Sequence, residues 1–237
     1  MRRLRRRRRI LSTAIPLATM LGAAGVASPL AAPRPVAVAG TMPRVVPVVD
    51  PTAALATLLH ALAPDLRQEA LQPALAAWER LRGEGVATRP LLTVIDYGLP
   101  STRPRLWVFD LDDRRLLYRE LVAHGRNTGD DVASVFSNVE GSLMTSLGSF
   151  VTGESYKGQN GYSMRLRGLD PGRNDLAEAR AIVMHGASYV DPAVVQKLGR
   201  LGRSWGCPAV RPAVAHELID RIKDGSVVFA WHPSLAD

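Results

Sequence analysis

Cys207 is the only cysteine of the chain, and it stands in the run Gly202-Arg203-Ser204-Trp205-Gly206-Cys207-Pro208-Ala209. His185 lies 22 positions upstream, at the end of Ala181-Ile182-Val183-Met184-His185-Gly186. A thiol and an imidazole are the minimal parts of a cysteine nucleophile. The thiolate attacks, and a neighbouring base removes the proton that an unperturbed thiol, with a pKa of about 8.5, still holds at neutral pH. His185 closes an apolar run of strand length, and Gly186 lets the chain turn there, so the ring is expected at the rim of a domain. Neither segment contains an Asp or Glu to orient the ring, which leaves a backbone carbonyl near residues 186–188 for that task. Acyl transfer also needs donors for an oxyanion. Gly206 has no side chain, so the N–H groups of Gly206 and Cys207 can approach a substrate carbonyl closely. Pro208 has no N–H to offer; it fixes the chain after the thiol and biases Cys207 towards extended geometry.

Taken singly, these residues have plainer uses. A lone cysteine is often a small buried hydrophobe, a histidine is often structural, and Gly-Cys-Pro can be only a tight turn. The combination points to catalysis. The five histidines, His60, His124, His185, His216 and His232, show no ligand spacing, so no metal is expected. There is no phosphate-binding loop and no glycine fingerprint of a dinucleotide fold, so no cofactor is expected either.

The net charge of +8 and sequence pI near 10.3 suggest a nucleic-acid binder until the charge is located. Residues 1–39 hold eight arginines and no acid, and removing those eight from the 30 basic residues leaves 22 against 22 acidic ones. The rest of the chain is formally neutral, so no nucleic-acid partner is expected. The arginines run directly into an apolar stretch, Ile10 to Ala27, too short and too interrupted for a comfortable membrane span. A charged region, an apolar region and the small residues Ala37-Val38-Ala39 before Gly40 read as a secretory signal over residues 1–39, with membrane contact only if the signal stays uncleaved. An exported chain with one cysteine holds either a free reactive thiol or half of an intermolecular bridge.

These groups must be positioned by a scaffold. Residues 40–51 read as a proline-containing linker. Over 52–90, Leu55, Leu58, Leu59 and Leu62 and then Leu71, Leu75 and Trp78 fall at helical spacing. Pro64 and Pro73 are expected to divide this segment into two or three short helices, ending at Gly83 and Gly85. From 91 to 237 the texture changes. Strands are expected over Leu92–Tyr97, Leu106–Phe109, Leu116–Ala123, Ser149–Gly153, Tyr162–Leu166, Ala181–His185 and Ser226–Trp231. Helices are expected from Asp191-Pro192 through Leu198 and from Pro212 towards Gly225. Many short strands with small helical additions indicate a mainly β fold, a sandwich or open barrel.

At these residues the chain resembles the murein L,D-transpeptidase family of YkuD-like fold, in the branch whose second motif reads Gly-Arg-Ser-Trp-Gly-Cys-Pro-Ala. The likeness extends through Val122-Ala123-His124-Gly125, Phe136-Ser137-Asn138, Ser146-Leu147-Gly148, Tyr156-Lys157-Gly158, Gly161-Tyr162-Ser163 and Leu166-Arg167-Gly168-Leu169, covering most of 91–232. The resemblance implies a periplasmic enzyme acting on peptidoglycan stem peptides. Cys207 would attack the diaminopimelate carbonyl of a tetrapeptide stem, release D-alanine and pass the acyl group to an amine. An L,D-carboxypeptidase would pass it to water instead, and a non-catalytic wall-binding domain is the reading from another class. In that picture His185 is base and then acid, Gly206 and Cys207 hold the oxyanion, and Gly186, Arg203, Ser204, Trp205, Tyr162 and Arg165 line the substrate. Two positions depart from the family pattern: Trp205 replaces its second histidine, leaving acid–base work to His185 alone, and Ala209 stands where an asparagine or arginine is common.

Overall fold

The computed structural model describes residues 50–235. The expected signal over 1–39 and nearly all of the linker lie outside the described residues. Helix α1 (Pro51–Leu62) begins at Asp50, whose side chain accepts the Thr52 N–H at 3.0 Å, with Pro51 in the first turn where its missing N–H costs nothing. Helix α2 runs over Gln68–Gly83. Pro64 falls in the break between the two helices, as expected, but Pro73 lies inside α2 without ending it. It sits in the second turn, where its missing N–H forfeits one hydrogen bond, and the buried face of Ala70, Leu71, Ala74, Leu75, Trp78 and Leu81 holds the helix on its support.

That support is one nine-stranded sheet. Its strands are β1 (Leu91–Asp96), β2 (Leu106–Asp110), β3 (Arg115–Glu120), β4 (Val122–Ala123), β5 (Gly148–Gly158), β6 (Gly161–Gly168), β7 (Val183–Gly186), β8 (Ala209–Val210) and β9 (Val227–Trp231). Their spatial order is β3-β2-β1-β9-β5-β6-β7-β8-β4. The pairs β1/β9 and β7/β8 are parallel and the others antiparallel. The expected continuous strand from Leu116 to Ala123 is two strands, which occupy the two edges of the sheet although only Leu121 separates them. A sheet whose edges are consecutive in the chain must curl almost onto itself, so the fold is a nearly closed, barrel-like sheet. The seam between the edges is bridged by Arg105. Its side chain is wholly buried and donates to the Val122 carbonyl from Nε and Nη2, at 3.0 and 2.9 Å, and to the Leu99 carbonyl at 2.8 Å.

Two differences from the expected strands have local causes. β5 passes beyond Gly153 because an irregularity between Thr152 and Ser155 absorbs the glycine and pairing with β6 resumes. β7 begins at Val183 rather than Ala181 because Ala181 has φ +54°, outside the β region. Helix α3 (Pro192–Leu198) is capped by Asp191, which accepts the Ala193 N–H at 2.7 Å, and α4 (Pro212–Ile222) buries Ala215, Leu218, Ile219 and Ile222 on the sheet. One hydrophobic cluster joins α4 to Met164, Met184, Val210 and Val228; another joins α1 and α2 to Leu92, Val94, Trp107, Phe109 and Phe229. The helical segment thus shares a core with β1, β2 and β9. It is tied to them by a bidentate pair between Arg67 and the fully buried Asp96, both contacts 2.7 Å.

Candidate active site

The thiol sits where β7 meets the loop entering β8. The parallel register pairs His185 with Ala209, two residues beyond Cys207. Cys207 is 7% exposed; its Sγ receives the Val183 N–H at 3.5 Å and faces the Ala181 carbonyl at 3.7 Å. Burial pushes the thiol pKa up, while the Val183 N–H and the charge of Arg180 oppose that rise. The thiol is therefore protonated at neutral pH and needs a base.

His185 has the tautomer of a base. Its Nδ1 lies 3.0 Å from the Gly186 carbonyl, which can only accept, so Nδ1 carries the hydrogen and the Nε2 lone pair stays open. Burial lowers its pKa, which keeps the ring neutral at pH 7. The expected orienting carbonyl near 186–188 is that of Gly186. Gly186 must itself be glycine for another reason: a Cβ there would come within 2.8 Å of Ala215 Cβ on α4. The Sγ hydrogen-bond partners are backbone groups only and do not include the His185 ring, so the imidazole and thiol stand as neighbours along adjoining strands rather than as a closed pair.

The loop carrying the thiol is built on β4 and its extension. Ser204 pairs with Gly125; its N–H donates to the His124 carbonyl at 2.9 Å, and its carbonyl accepts the Arg126 N–H at 2.8 Å. Ser204 Oγ accepts the Gly206 N–H at 3.1 Å and donates to the Cys207 carbonyl at 2.6 Å. Gly206 has φ +122°, and a Cβ on it would meet the Met144 carbonyl at 2.7 Å and Ile182 Cδ1 at 2.9 Å. Only glycine fits both constraints.

Of the other residues expected to meet substrate, one is free. Trp205 is 72% exposed, beside the thiol. Ser204 is buried and engaged inside the loop, and the Gly206 N–H expected in the oxyanion hole is taken by Ser204 Oγ. Arg203 Nη1 donates to the Gly129 carbonyl and to Asp130, both at 2.9 Å. Tyr162 lies on the side of β6 that faces α4, because strand residues alternate; it stacks on His216 at 4.2 Å and donates to Asp220 at 2.5 Å. Arg165 pairs with Glu154 at 3.1 Å and covers the Tyr156 ring. Those four side chains are thus engaged within the protein.

Three further residues border the site, and none is among its expected members. Thr145 Oγ1 accepts the Gly125 N–H at 2.9 Å and donates to the Gly206 carbonyl at 3.3 Å, tying the two glycine loops together. His124 accepts from Arg105 Nη2 on Nδ1 at 2.7 Å, so its Nε2–H faces the Gly129 carbonyl at 3.2 Å. Burial and the Arg105 charge push its pKa down to about 4. The half-buried Arg180 reaches the loop before β5. The His124-Gly125 motif marks the first two indirectly; nothing separates Arg180 from a solvated arginine in the sequence.

Residues 62–231 match the YkuD_2 family, described as an L,D-transpeptidase catalytic domain. No curated protein matches the chain. Among solved structures, an L,D-transpeptidase from Mycobacterium smegmatis is similar at 12% identity over 60% of this chain and 66% of that one, with a TM-score of 0.35. The helical cell shape determining protein Pgp2 from Campylobacter jejuni is similar at 14% identity over 62% of this chain and 45% of its own, with a TM-score of 0.36. L,D-transpeptidase 1 of Mycobacterium tuberculosis is similar at 12% identity over 60% and 70%, with a TM-score of 0.33. The chain thus spans less than two thirds of the first two. With a match that runs from the end of α1 to the end of β9, this protein belongs to the L,D-transpeptidase catalytic domain family.

Proposed function

We propose that the protein is an exported peptidoglycan L,D-transpeptidase of the bacterial cell envelope, with Cys207 as nucleophile and His185 as its acid–base partner. The observation that carries this reading is the His185 tautomer: a neutral ring with Nδ1–H fixed on the Gly186 carbonyl and Nε2 open, one strand from a buried thiol. Nε2 takes the thiol proton, and the thiolate attacks the diaminopimelate carbonyl of a tetrapeptide stem. The Cys207 N–H serves the oxyanion, since the Gly206 N–H is committed to Ser204. The carbon–nitrogen bond to D-alanine breaks, the amine leaves with the proton from His185, and a thioester remains. An acceptor amine then attacks the thioester, His185 takes a proton from it, and the thiol is restored. Closing the pair requires the ring or the thiol loop to move on substrate binding, as catalytic hydrogen bonds often tighten only in the complex. No cofactor takes part in any of these steps.

The test is to incubate the full chain with disaccharide-tetrapeptide and follow products by mass spectrometry. Released D-alanine with cross-linked dimers supports the transpeptidase; trimmed tripeptide without dimers assigns a carboxypeptidase on the same site. No release from folded protein, with peptidoglycan binding that Cys207→Ala leaves intact, would overturn both in favour of a wall-binding domain.

A further inference from the structure

Arg180 is the last residue before the segment that leads into β7, and its side chain is half-buried. Four of its five N–H donors are consumed by neutral acceptors: Nη1 donates to the Ser137 carbonyl at 2.7 Å and to Ser146 Oγ, and Nη2 donates to the Met144 carbonyl at 2.6 Å and to Ser142 Oγ at 3.2 Å. Among the described residues no carboxylate pairs with it, although most of the chain's other partly buried arginines have one, as Arg67 and Arg211 do. A guanidinium with its terminal donors filled cannot clamp a substrate carboxylate in the bidentate way. What it retains is its charge, fixed in place and not neutralised.

That charge is set against the thiol. The Met144 carbonyl that Arg180 holds is the atom packed against Gly206, 2.7 Å from where a Cβ would stand. The carbonyl of Ala181, the next residue, is the one that Sγ faces at 3.7 Å. Ala181 reaches that position with φ +54°, a left-handed conformation that non-glycine residues rarely adopt. The other titratable groups around the thiol are His185 on β7, Tyr189 in the turn after it and Tyr97 at the end of β1. His185 is held neutral, and both tyrosines are pushed up, Tyr189 to about 12, so neither carries charge at neutral pH.

We propose that Arg180 is an electrostatic positioning residue for Cys207: a permanent cation, immobilised by four neutral acceptors of the 137–146 loop, that offsets burial and stabilises the thiolate. The inference deepens the transpeptidase reading and rests on it for the importance of the thiolate, but not for its test. Here the His185 ring is not a hydrogen-bond partner of Sγ, so the thiolate draws its stabilisation from the Val183 N–H, from this cation and from its own backbone N–H.

The experiment is the pH profile of iodoacetamide alkylation, read by intact mass on the full-length chain, where Cys207 is the only thiol. Arg180→Gln is expected to slow alkylation severalfold at pH 7 and to move the midpoint to higher pH, while Arg180→Lys keeps a midpoint near that of the parent. Arg180→Gln removes hydrogen bonds as well as charge, so a second variant keeps the arginine. Ser142→Asp places a carboxylate beside the guanidinium and is expected to raise the midpoint, whereas Ser142→Asn leaves it in place. Unchanged midpoints in both Arg180→Gln and Ser142→Asp, with unfolding midpoints showing folded protein, would overturn the proposal. So would equal upward shifts in Arg180→Gln and Arg180→Lys, which would make the residue a brace for the loop. Because alkylation needs no peptidoglycan, a failed activity assay with the expected profiles would refute the function and leave this role standing.

Discussion

Ser204 Oγ donates a 2.6 Å hydrogen bond to the carbonyl of Cys207 while accepting the N–H of Gly206 at 3.1 Å. One hydroxyl therefore sets the backbone on both sides of the peptide that precedes Cys207, and it does so from a buried position where neither partner can turn to water. Ser204→Ala leaves two buried backbone groups unmatched, which costs about 1–3 kcal/mol each when unrelieved. We expect a loss of stability of roughly 2 kcal/mol, measured by urea unfolding, together with a fall in kcat. Ser204→Thr retains the hydroxyl and should recover part of both. An unchanged unfolding midpoint in Ser204→Ala would show that the loop is held elsewhere.

The neighbouring tryptophan should behave in the opposite way. Trp205 is 72% exposed, so its removal breaks no packing. Trp205→Ala is expected to change stability by less than about 0.5 kcal/mol, as surface substitutions do. An aromatic face two residues from Cys207 offers apolar area to a bound stem or sugar, so KM should rise with kcat little changed. A fall in kcat at constant KM would place Trp205 in the chemistry instead.

The contrast between these adjacent residues shows how far the sequence could be read. The glycines and the strand that delivers His185 are legible because each rests on a local demand: a histidine at a strand end, a turn at Gly186, a backbone without Cβ at Gly206. The carbonyl that orients His185 was legible by elimination, since no carboxylate stands nearby. What failed was the outward direction of side chains. Tyr162, Arg203 and Ser204 lie in the family motifs and Arg165 between two of them, yet each is satisfied within the protein by Asp220, Asp130, the Cys207 loop or Glu154. Those partners are distant in sequence or turned by tertiary packing, and motif spacing carries no information about them. The split of Leu116–Ala123 into two edge strands was hidden for the same reason, because closure of the sheet is a long-range event.

Histidine burial gives a stability prediction with a definite sign. His124 is buried, and burial first, then the Arg105 charge, push its pKa to about 4 from an ordinary value of 6.5. Between those values the unfolded chain binds a proton that the folded chain refuses, so folding stability falls as pH falls from 6.5 and stops falling from this source below about 4. A difference of this size is worth about 3 kcal/mol. His185, also lowered by burial, adds in the same direction. Urea unfolding at pH 7, 5.5 and 4.5 should show this loss. His124→Asn should start less stable at pH 7, having lost the buried ring and its Nε2 contact with the Gly129 carbonyl, but should lose less on acidification. An equally steep acid limb in that variant would assign the effect to other groups.

Removing the thiol tests the chemistry most directly. Cys207 is the only cysteine, so Cys207→Ala leaves no alternative nucleophile of its kind, and D-alanine release should fall to background. Its Sγ makes two weak hydrogen bonds, to Val183 N–H and the Ala181 carbonyl, and packs at the edge of the core, so the fold should survive with a modest loss of stability. His185→Gln separates the base from the thiol. Its amide cannot accept a proton at neutral pH, so kcat/KM should drop by about 10²–10⁴, the usual contribution of a positioned general base. Part of that loss should return as pH rises, because hydroxide replaces the missing base and the buried thiol ionises on its own. In the parent, activity should instead fall on the acid side as His185 becomes protonated. An unaltered pH–rate profile in His185→Gln would remove the imidazole from the mechanism and leave the thiolate to the backbone and Arg180.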